Sequence, residues 1–501
     1  MDKRKSFLNV TVSIVFNILT MVTAVLVKRT LILSCGNEVN GLNALFLSIV
    51  GFLSIAELGI GSAISFSMYK PIVDGDTAYV SALYRLFQRI YLIIGGLILA
   101  VGLAITPFIH YFAKDYQQLD VNLYITFILM LISVVVTYWY GPKTSLINAY
   151  KSNYITTTVT SCGTLLQSFL QIAVLLLTNS FVWYLVCRIV SVLAQGLVIH
   201  FIARKRHRDV LTCKASTTIL NRKEITKNIK AMFMHKVGTL LVNTSDSIII
   251  STFLGVNALG LYSNYNTILT SVTTLIALVF SSLTSVLGHL YAESGKETTK
   301  RYCDMFHLVN FALGAVVYLG YYAIIDNLIA LLFAEHLVVS KTVVFVITYN
   351  AFVQFMRRSV LVFRDATGTF YHDRWKPLIE GLVNVILSIL FVKWIGVAGV
   401  IVATVITSLL ICHIIEPHVL YKHAFSTSPV RYYLINYGMM GLFFIALLAL
   451  DFCMIDLHSQ WLNLLVNGCI AVGLSLAICL PVLAFNKTLR QTLHSLRKGG
   501  K

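Results

Sequence analysis

Charged residues are scarce in this chain. Asp, Glu, Lys and Arg make up only 12% of its 501 residues and hydrophobic residues make up 57%, whereas an ordinary soluble domain has about 25% charged residues. So few charges cannot cover a water-exposed surface. The composition therefore excludes a soluble protein and predicts an all-α integral membrane protein.

Motifs for metal binding and catalysis are also lacking. The nine cysteines form no CxxC pair and no His/Cys cluster at metal-ligand spacing, so we expect no metal or other cofactor and interpret the cysteines as small apolar side chains. Gly295-Lys296-Glu297 fails the phosphate-loop pattern because neither Ser nor Thr follows the Lys. We predict no large external loop that could hold the site of a glycan polymerase or ligase. The sequence therefore argues against an enzyme.

Long apolar stretches, by contrast, are abundant. A bilayer core about 30 Å thick needs roughly 20 apolar residues per helix, and this criterion predicts fourteen transmembrane spans. The first span follows Lys3-Arg4-Lys5 and is too long for the core of a signal peptide, so we expect it to stay attached. The predicted spans are 7–33, 41–64, 88–112, 121–141, 155–177, 181–203, 234–254, 259–288, 305–325, 342–362, 378–395, 397–416, 433–451 and 461–484.

Basic residues set the predicted orientation. Lys and Arg outnumber Asp and Glu by 39 to 21, but they lie in short loops between apolar stretches, which favours anionic membrane lipids over nucleic acid as their partner. If both termini are cytoplasmic, nearly all of the basic residues fall on the cytoplasmic side, as the positive-inside rule requires. The exceptions are Lys28, Arg29, Lys114, Arg188, Lys341 and Lys393.

The longest connection, residues 204–233, is rich in Lys and Arg. Asn221 and Glu224 have the spacing of a helix start, and Ile225 and Ile229 follow at helical spacing. We predict a basic amphipathic helix that lies on the inner leaflet and links two halves of the chain. A solvated loop is the alternative.

Spans 1–6 and 7–12 show a faint internal repeat with an offset of roughly 220 residues. Because six is an even number of spans, the two repeats share one orientation and are related by a pseudo-two-fold axis along the membrane normal, as in transporters that rock one lobe against the other. The matching positions include Gly36 with Gly255, and Gly41-Leu42 with Gly260-Leu261. The predicted organisation is an N-lobe (1–203), the basic linker (204–233), a C-lobe (234–418), and spans 13 and 14 with a basic cytoplasmic tail (419–501).

Ionisable side chains inside the predicted spans are the candidate functional residues, because a charge at membrane depth is costly unless it faces water or a partner. Arg29 and Arg188 could bind an anionic ligand or pair with carboxylates as static cross-links, and Lys28 could also extend to the outer head groups. Glu57 and Asp246 lie deep and could form either functional pairs or structural hydrogen bonds. Nearer the inner ends are Glu380 and Glu416, expected at the interface, and a cluster at the cytoplasmic mouth of span 10 formed by Arg357, Arg358, Arg364 and Asp365.

Several stretches together resemble the oligosaccharide flippases of the multidrug/oligosaccharidyl-lipid/polysaccharide exporter superfamily. They are Lys28-Arg29-Thr30-Leu31, Ala56-Glu57-Leu58-Gly59-Ile60-Gly61, Tyr69-Lys70-Pro71, Asp246-Ser247-Ile248-Ile249, and Gly260-Leu261-Tyr262-Ser263-Asn264-Tyr265. Arg29 and Glu57 also match an Arg and a Glu of the related lipid II flippases. The Pro-rich, Arg-rich stretch that precedes that Glu in lipid II flippases is absent here, which argues against lipid II as substrate.

The resemblance implies a multi-pass protein of the bacterial inner membrane that moves undecaprenyl-diphosphate-linked oligosaccharide repeat units from the inner to the outer leaflet. It implies alternating access, with Arg29, Arg188 and Lys28 receiving the diphosphate, because an arginine fork matches diphosphate oxygens well. Glu57 and Asp246 would then act in gating or bind a coupling proton or sodium ion. A monomer is expected, with polysaccharide polymerase and export proteins as candidate partners. A drug/organic-cation antiporter of the same superfamily is the alternative function.

Overall fold

The computed structural model describes residues 3–57, 60–213, 215–216, 220, 244–369, 372–457 and 459–484. All regular secondary structure in these ranges is helical. The helices are α1 (Lys3–Cys35), α2 (Asn37–Leu53), α3 (Ile60–Val73), α4 (Thr77–Ile105), α5 (Leu123–Ala149), α6 (Asn153–Thr178), α7 (Phe181–Arg206), α8 (Arg208–Thr212), α9 (244–254), α10 (Val256–Leu332), α11 (Lys341–Met356), α12 (Arg358–Thr367), α13 (Lys376–Ile395), α14 (Val397–Thr407), α15 (His413–Val419), α16 (Val430–Cys453) and α17 (Gln460–Ala484).

The helices are long enough and apolar enough to cross a membrane. A helix of 26 residues, such as α6 or α7, is about 39 Å long, which exceeds a hydrocarbon core of about 30 Å. Ten described helices meet the length and hydropathy of a membrane span. The prediction of an all-α, multi-pass membrane protein is confirmed, whereas the count of fourteen spans is not.

Local sequence signals explain where several helices begin and end. The side chain of Asp76 accepts a hydrogen bond of 2.8 Å from the backbone N–H of Tyr79 and caps the start of α4. Asn122 caps α5 in the same way. At the other end of a helix, α6 stops at Asn179, which has a left-handed backbone with φ of 50°.

The chain reverses direction inside α10. The 77 residues from Val256 to Leu332 include one non-helical residue, Gly295, with φ of 75°. Glycine adopts this conformation without strain. The ring centroids of Phe280 and Phe306 are only 5.4 Å apart, although 26 residues of straight helix would separate them by about 39 Å. α10 therefore consists of two helices that are joined at Gly295 and pack against each other.

The predicted second span is not one continuous helix. α2 ends at Leu53, a 3₁₀ turn covers Ser54–Glu57, and helix resumes at Ile60. Short 3₁₀ segments within a span often mark hinges. Glu57, a candidate functional residue, lies in this turn.

The chain forms two compact units, Met1–Ser263 and Asn264–Lys501, and the boundary lies within α10. The four predicted domain ranges remain predictions. The predicted amphipathic helix from Asn221 to Phe233 lies outside the described residues, as do residues 485–501 of the basic tail.

Candidate functional site

In the first unit, α2 makes an unusually close backbone contact with the start of α10. A methyl group placed on Gly41 would overlap the carbonyl oxygen of Val256 and would lie 2.8 Å from the backbone nitrogen of Gly260. A methyl group on Gly260 would likewise overlap the carbonyl oxygen of Asn37. Only glycine at both positions permits this approach. We call this contact, formed by Asn37, Asn40, Gly41, Val256, Asn257, Gly260 and Ser263, the glycine contact.

Asparagine side chains hold the two backbones of the glycine contact together. The Asn37 amide nitrogen donates to the side-chain oxygen of Asn257 at 2.6 Å and to the backbone oxygen of Asn257 at 3.1 Å. The Asn40 amide donates to the backbone oxygen of Gly260 at 3.3 Å and to the hydroxyl of Ser263 at 3.2 Å. Asn40 and Gly260 are buried, so the bond between them is formed away from water, where leaving it unmade is costly, whereas Asn257 is exposed.

The two sides of the glycine contact are equivalent positions of the predicted internal repeat. Asn37 and Asn257 are 220 residues apart, and Gly41 and Gly260 differ by nearly the same offset. The pattern is also reciprocal, because Gly41 meets Val256 while Gly260 meets Asn37. Reciprocal contacts between equivalent positions are expected where a two-fold axis passes through an interface.

Lys28 extends to the glycine contact. Its ammonium group donates to the backbone oxygen of Ser263 at 2.6 Å and to the Ser263 hydroxyl at 2.9 Å. The Lys28 ammonium is thus bonded to protein within the glycine contact, and its predicted role in binding a head group stays a prediction. Arg29, the next residue of α1, is half-buried. Its neighbours one turn later on the same side of the helix are Ile32, which is buried, and Leu33, which is exposed.

Arg188 lies on the packed face of α7. The residues three and four positions before and after it share this face of the helix, and all four are buried: Tyr184, Leu185, Ser191 and Val192. The Arg188 side chain is half-buried and forms no ion pair with any residue that the structure describes. An interior arginine at membrane depth needs water or an anion to be stable. Arg188 is thus a cation available to an anionic ligand.

Glu57 has a tyrosine rather than an arginine as its partner. The hydroxyl of Tyr91, on α4, donates a hydrogen bond to the Glu57 carboxylate, and the Tyr91 ring contacts the ring of Tyr138 with centroids 5.5 Å apart. Within the described ranges, Glu57 forms no ion pair. Asp246, the other predicted gating carboxylate, is half-buried in the first turn of the described part of α9.

The second unit contains a buried cluster of two cations and two carboxylates. The Arg357 guanidinium contacts the Glu416 carboxylate at 2.7 and 3.2 Å, and it also lies 3.4 Å from Glu380. Lys376 binds both carboxylates, Glu416 at 2.6 Å and Glu380 at 3.0 Å. The side chain of Glu416 is only 1% exposed. We call these four residues the four-charge cluster; its formal charges cancel.

The predicted cytoplasmic-mouth residues are not equivalent to one another. Arg357 belongs to the four-charge cluster, and Arg364 is buried with the Asp373 carboxylate at 2.6 Å. Asp365 contacts Arg364 at 3.1 Å, but its side chain is half exposed. Arg358 is half-buried and forms no ion pair in the described part of the chain. Only Arg358 therefore remains available to an anionic ligand.

Lys376 and Asp373 were not among the candidate residues that the sequence indicated. One signal was present, because Lys376 and Glu380 are spaced i, i+4, which favours an ion pair along a helix. Glu380 and Glu416 were expected at the membrane interface. The structure shows that both carboxylates are buried in protein and paired.

Among the described residues, no group of three or more His, Cys, Asp or Glu side chains could hold a metal ion.

Comparison with solved structures identifies the class of fold. An inward closed conformation of the lipid II flippase MurJ matches with a TM-score of 0.66 at 14% identity, covering 94% of this chain and 98% of that one. An inward-facing multidrug resistance MATE transporter of the MOP superfamily matches at 0.64 and 16% identity, covering 84% and 95%. A Vibrio cholerae MATE transporter matches at 0.56 and 13% identity, covering 81% and 93%. The fold is that of these membrane transporters.

The sequence places the chain within one family of this class. The family model described as polysaccharide biosynthesis protein matches residues 3–287, which is more than half of the chain, and the chain belongs to this family. A comparison with curated proteins gives no match. The predicted membership of an oligosaccharide flippase family is confirmed at this level.

Proposed function

We propose that this protein moves undecaprenyl-diphosphate-linked oligosaccharide repeat units from the inner to the outer leaflet of the bacterial inner membrane. Its membership of a polysaccharide biosynthesis family and its transporter fold support this proposal. The observation that carries it is Arg188, an interior cation of α7 that forms no ion pair within the described ranges.

The chemistry of the diphosphate suits this cation. A diphosphate presents several anionic oxygens, and the planar guanidinium of an arginine donates to two of them at once. Arg188 would bind the head group in the first unit, with Lys28 and Arg29 as further cations near the end of α1. In the second unit Arg358 would provide positive charge at the cytoplasmic entrance.

Transport would proceed by alternating access, with the glycine contact as the closed outer side. We place this contact outside because the positive-inside rule puts the α1–α2 junction there. The contact would separate as the outer side opens and form again as it closes. Glu57 and Asp246 would bias this change or bind a coupling proton or sodium ion. Both termini would be cytoplasmic and the working unit would be a monomer.

Replacing Arg188 tests the head-group assignment. We expect Arg188→Ala to lower polysaccharide export roughly tenfold or more, because a charge-assisted hydrogen bond contributes about 1.5–3 kcal/mol. Arg188→Lys should keep part of the activity, since it retains the charge but not the bidentate geometry. The measurement is surface polymer, together with lipid-linked oligosaccharide on the inner leaflet, in cells that depend on the variant for export.

Lys205→Ala is the matched control, because Lys205 is exposed near the end of the same helix; it should leave export nearly unchanged. Normal export by Arg188→Ala at a wild-type protein level would contradict the assignment. The antiporter alternative gains support from the MATE structural matches. It predicts instead that expression of the wild-type protein protects cells from cationic dyes and that its loss causes no build-up of lipid-linked oligosaccharide.

A further inference from the structure

A small polar cavity lies in the second unit, and no residue of the four-charge cluster lines it. Its volume is about 80 Å³, enough for several water molecules. Such a cavity can hold a small polar head group, but it is too small for an oligosaccharide. Its polar lining consists of Lys300, Asp304 and His307 after the break in α10, Tyr421 after α15, and Ser428, Arg431 and Tyr432 around the start of α16.

One of the residues that line the cavity, His307, is a buried histidine. His307 is 2% exposed, and its Nδ1 lies 2.8 Å from the hydroxyl of Ser359. Its other ring nitrogen, Nε2, has no hydrogen-bond partner in the part of the chain that the structure describes. Buried polar groups are nearly always satisfied by protein, water or a ligand. His307 therefore has one ring nitrogen bonded to protein and one that is enclosed by its neighbours.

Two cations at the cavity are not paired with the carboxylate beside them. Lys300 and Asp304 are spaced i, i+4, yet neither Lys300 nor Arg431 comes within ion-pair distance of a carboxylate in the described ranges, although both attract the Asp304 carboxylate from a longer distance. The Lys300 ammonium lies 5.8 Å from the centre of the Tyr421 ring. Both cations are thus available to an anion such as a phosphate.

The carboxylate side of the cavity suits a cation. Asp304 accepts a hydrogen bond of 2.6 Å from the hydroxyl of Tyr421, whose ring contacts that of Tyr432 with centroids 5.5 Å apart. A carboxylate beside aromatic rings binds an ammonium group through charge and through the ring faces. The cavity therefore combines sites for both charges of a zwitterion.

The surroundings of the cavity favour a lipid as the source of that zwitterion. Val430 and Leu434 flank Arg431 on α16 and are 59% and 73% exposed, as expected for side chains that contact acyl chains. The loops that bear the cavity lie on the predicted cytoplasmic side. A lipid of the inner leaflet could place its head group in the cavity while its chains follow α16.

We propose that this cavity binds an aminophospholipid head group, with its phosphate on Lys300 and Arg431 and its primary ammonium on Asp304. A phosphatidylcholine head group lacks N–H donors for the carboxylate. A phosphatidylglycerol head group lacks the cation altogether. The cavity thus distinguishes lipids by their head groups, independently of which molecule the protein transports.

Lipid retention measured by native mass spectrometry tests this proposal. The purified protein is mixed with phosphatidylethanolamine, phosphatidylcholine and phosphatidylglycerol that carry identical acyl chains. We expect roughly tenfold preferential retention of phosphatidylethanolamine, in line with charge-assisted hydrogen bonds. The Lys300→Ala/Arg431→Ala double variant should lose this retention. Asp304→Asn, which still offers an acceptor to Tyr421, should lose the preference for phosphatidylethanolamine over phosphatidylglycerol.

Lys296→Ala is the control, because Lys296 lies one turn before Lys300 but contacts the hydroxyl of Ser426 at 3.1 Å. It should retain phosphatidylethanolamine as the wild type does. The proposal would be overturned by equal retention of the three lipids, or by a double variant that is folded and retains phosphatidylethanolamine as well as the control. Neither result depends on transport activity.

Discussion

Glu416→Gln should destabilise the protein by about 3–5 kcal/mol, the range for breaking a buried ion pair by removing one partner. Glu416 binds both Arg357 and Lys376 and is 1% exposed. Its neutralisation leaves two buried cations with Glu380 as their only carboxylate within the cluster. A lower midpoint of thermal unfolding in detergent, with less folded protein in the membrane, is the expected measurement.

Two further variants separate this effect from a general loss of charge. Asp365→Asn removes a carboxylate that also pairs with arginine but is 52% exposed, and exposed pairs contribute about 0–1 kcal/mol. Combining Glu416→Gln with Lys376→Met restores neutrality and should recover part of the lost stability, because coupled residues are not additive. A double variant as unstable as the sum of its two single variants would show that the cluster does not act as a unit.

Gly41→Ala should abolish or strongly reduce transport, because the added methyl group overlaps the backbone of Val256. Backbone atoms cannot move aside as a flexible side chain can, so the glycine contact should not form. Cysteines introduced at Asn37 and Asn257, whose side chains touch at 2.6 Å, report on the contact through oxidative cross-linking. We expect Gly41→Ala to slow formation of the disulfide between these two cysteines at least tenfold.

Gly51→Ala, on the same helix, is the matched control. Its methyl group would meet only a side-chain carbon of Thr244 at 3.6 Å, which is ordinary van der Waals contact. This variant should transport and cross-link nearly as the wild type does. Wild-type transport by Gly41→Ala would show that the glycine contact is not needed in the transport cycle.

Hydropathy predicted most of the helices because it reports where the chain avoids water. The predicted span 181–203 is observed as Phe181–Arg206, and 461–484 as Gln460–Ala484. Hydropathy did not reveal the 3₁₀ turn at Ser54–Glu57, because a helix and a short turn within an apolar stretch have the same average composition.

The candidate sites were less predictable, for a related reason. A long apolar stretch does not show which helix faces meet lipid and which meet protein. The sequence therefore gave no reason to pair Glu416 with Lys376, whereas in the structure their charged atoms lie 2.6 Å apart. The internal repeat, by contrast, predicted that the segments around Gly41 and Gly260 are equivalent, and the structure places them in direct contact.

The reciprocity of the glycine contact has a consequence for the origin of the chain. Asn37 faces Asn257, and each glycine faces the backbone of the opposite repeat. Two copies of a half-length ancestral protein could make the same contacts as a symmetric homodimer. If the gene of this ancestor was duplicated and the two copies fused, the fused chain would already contain this interface. During later divergence of the two halves, substitutions would be tolerated least at these few positions.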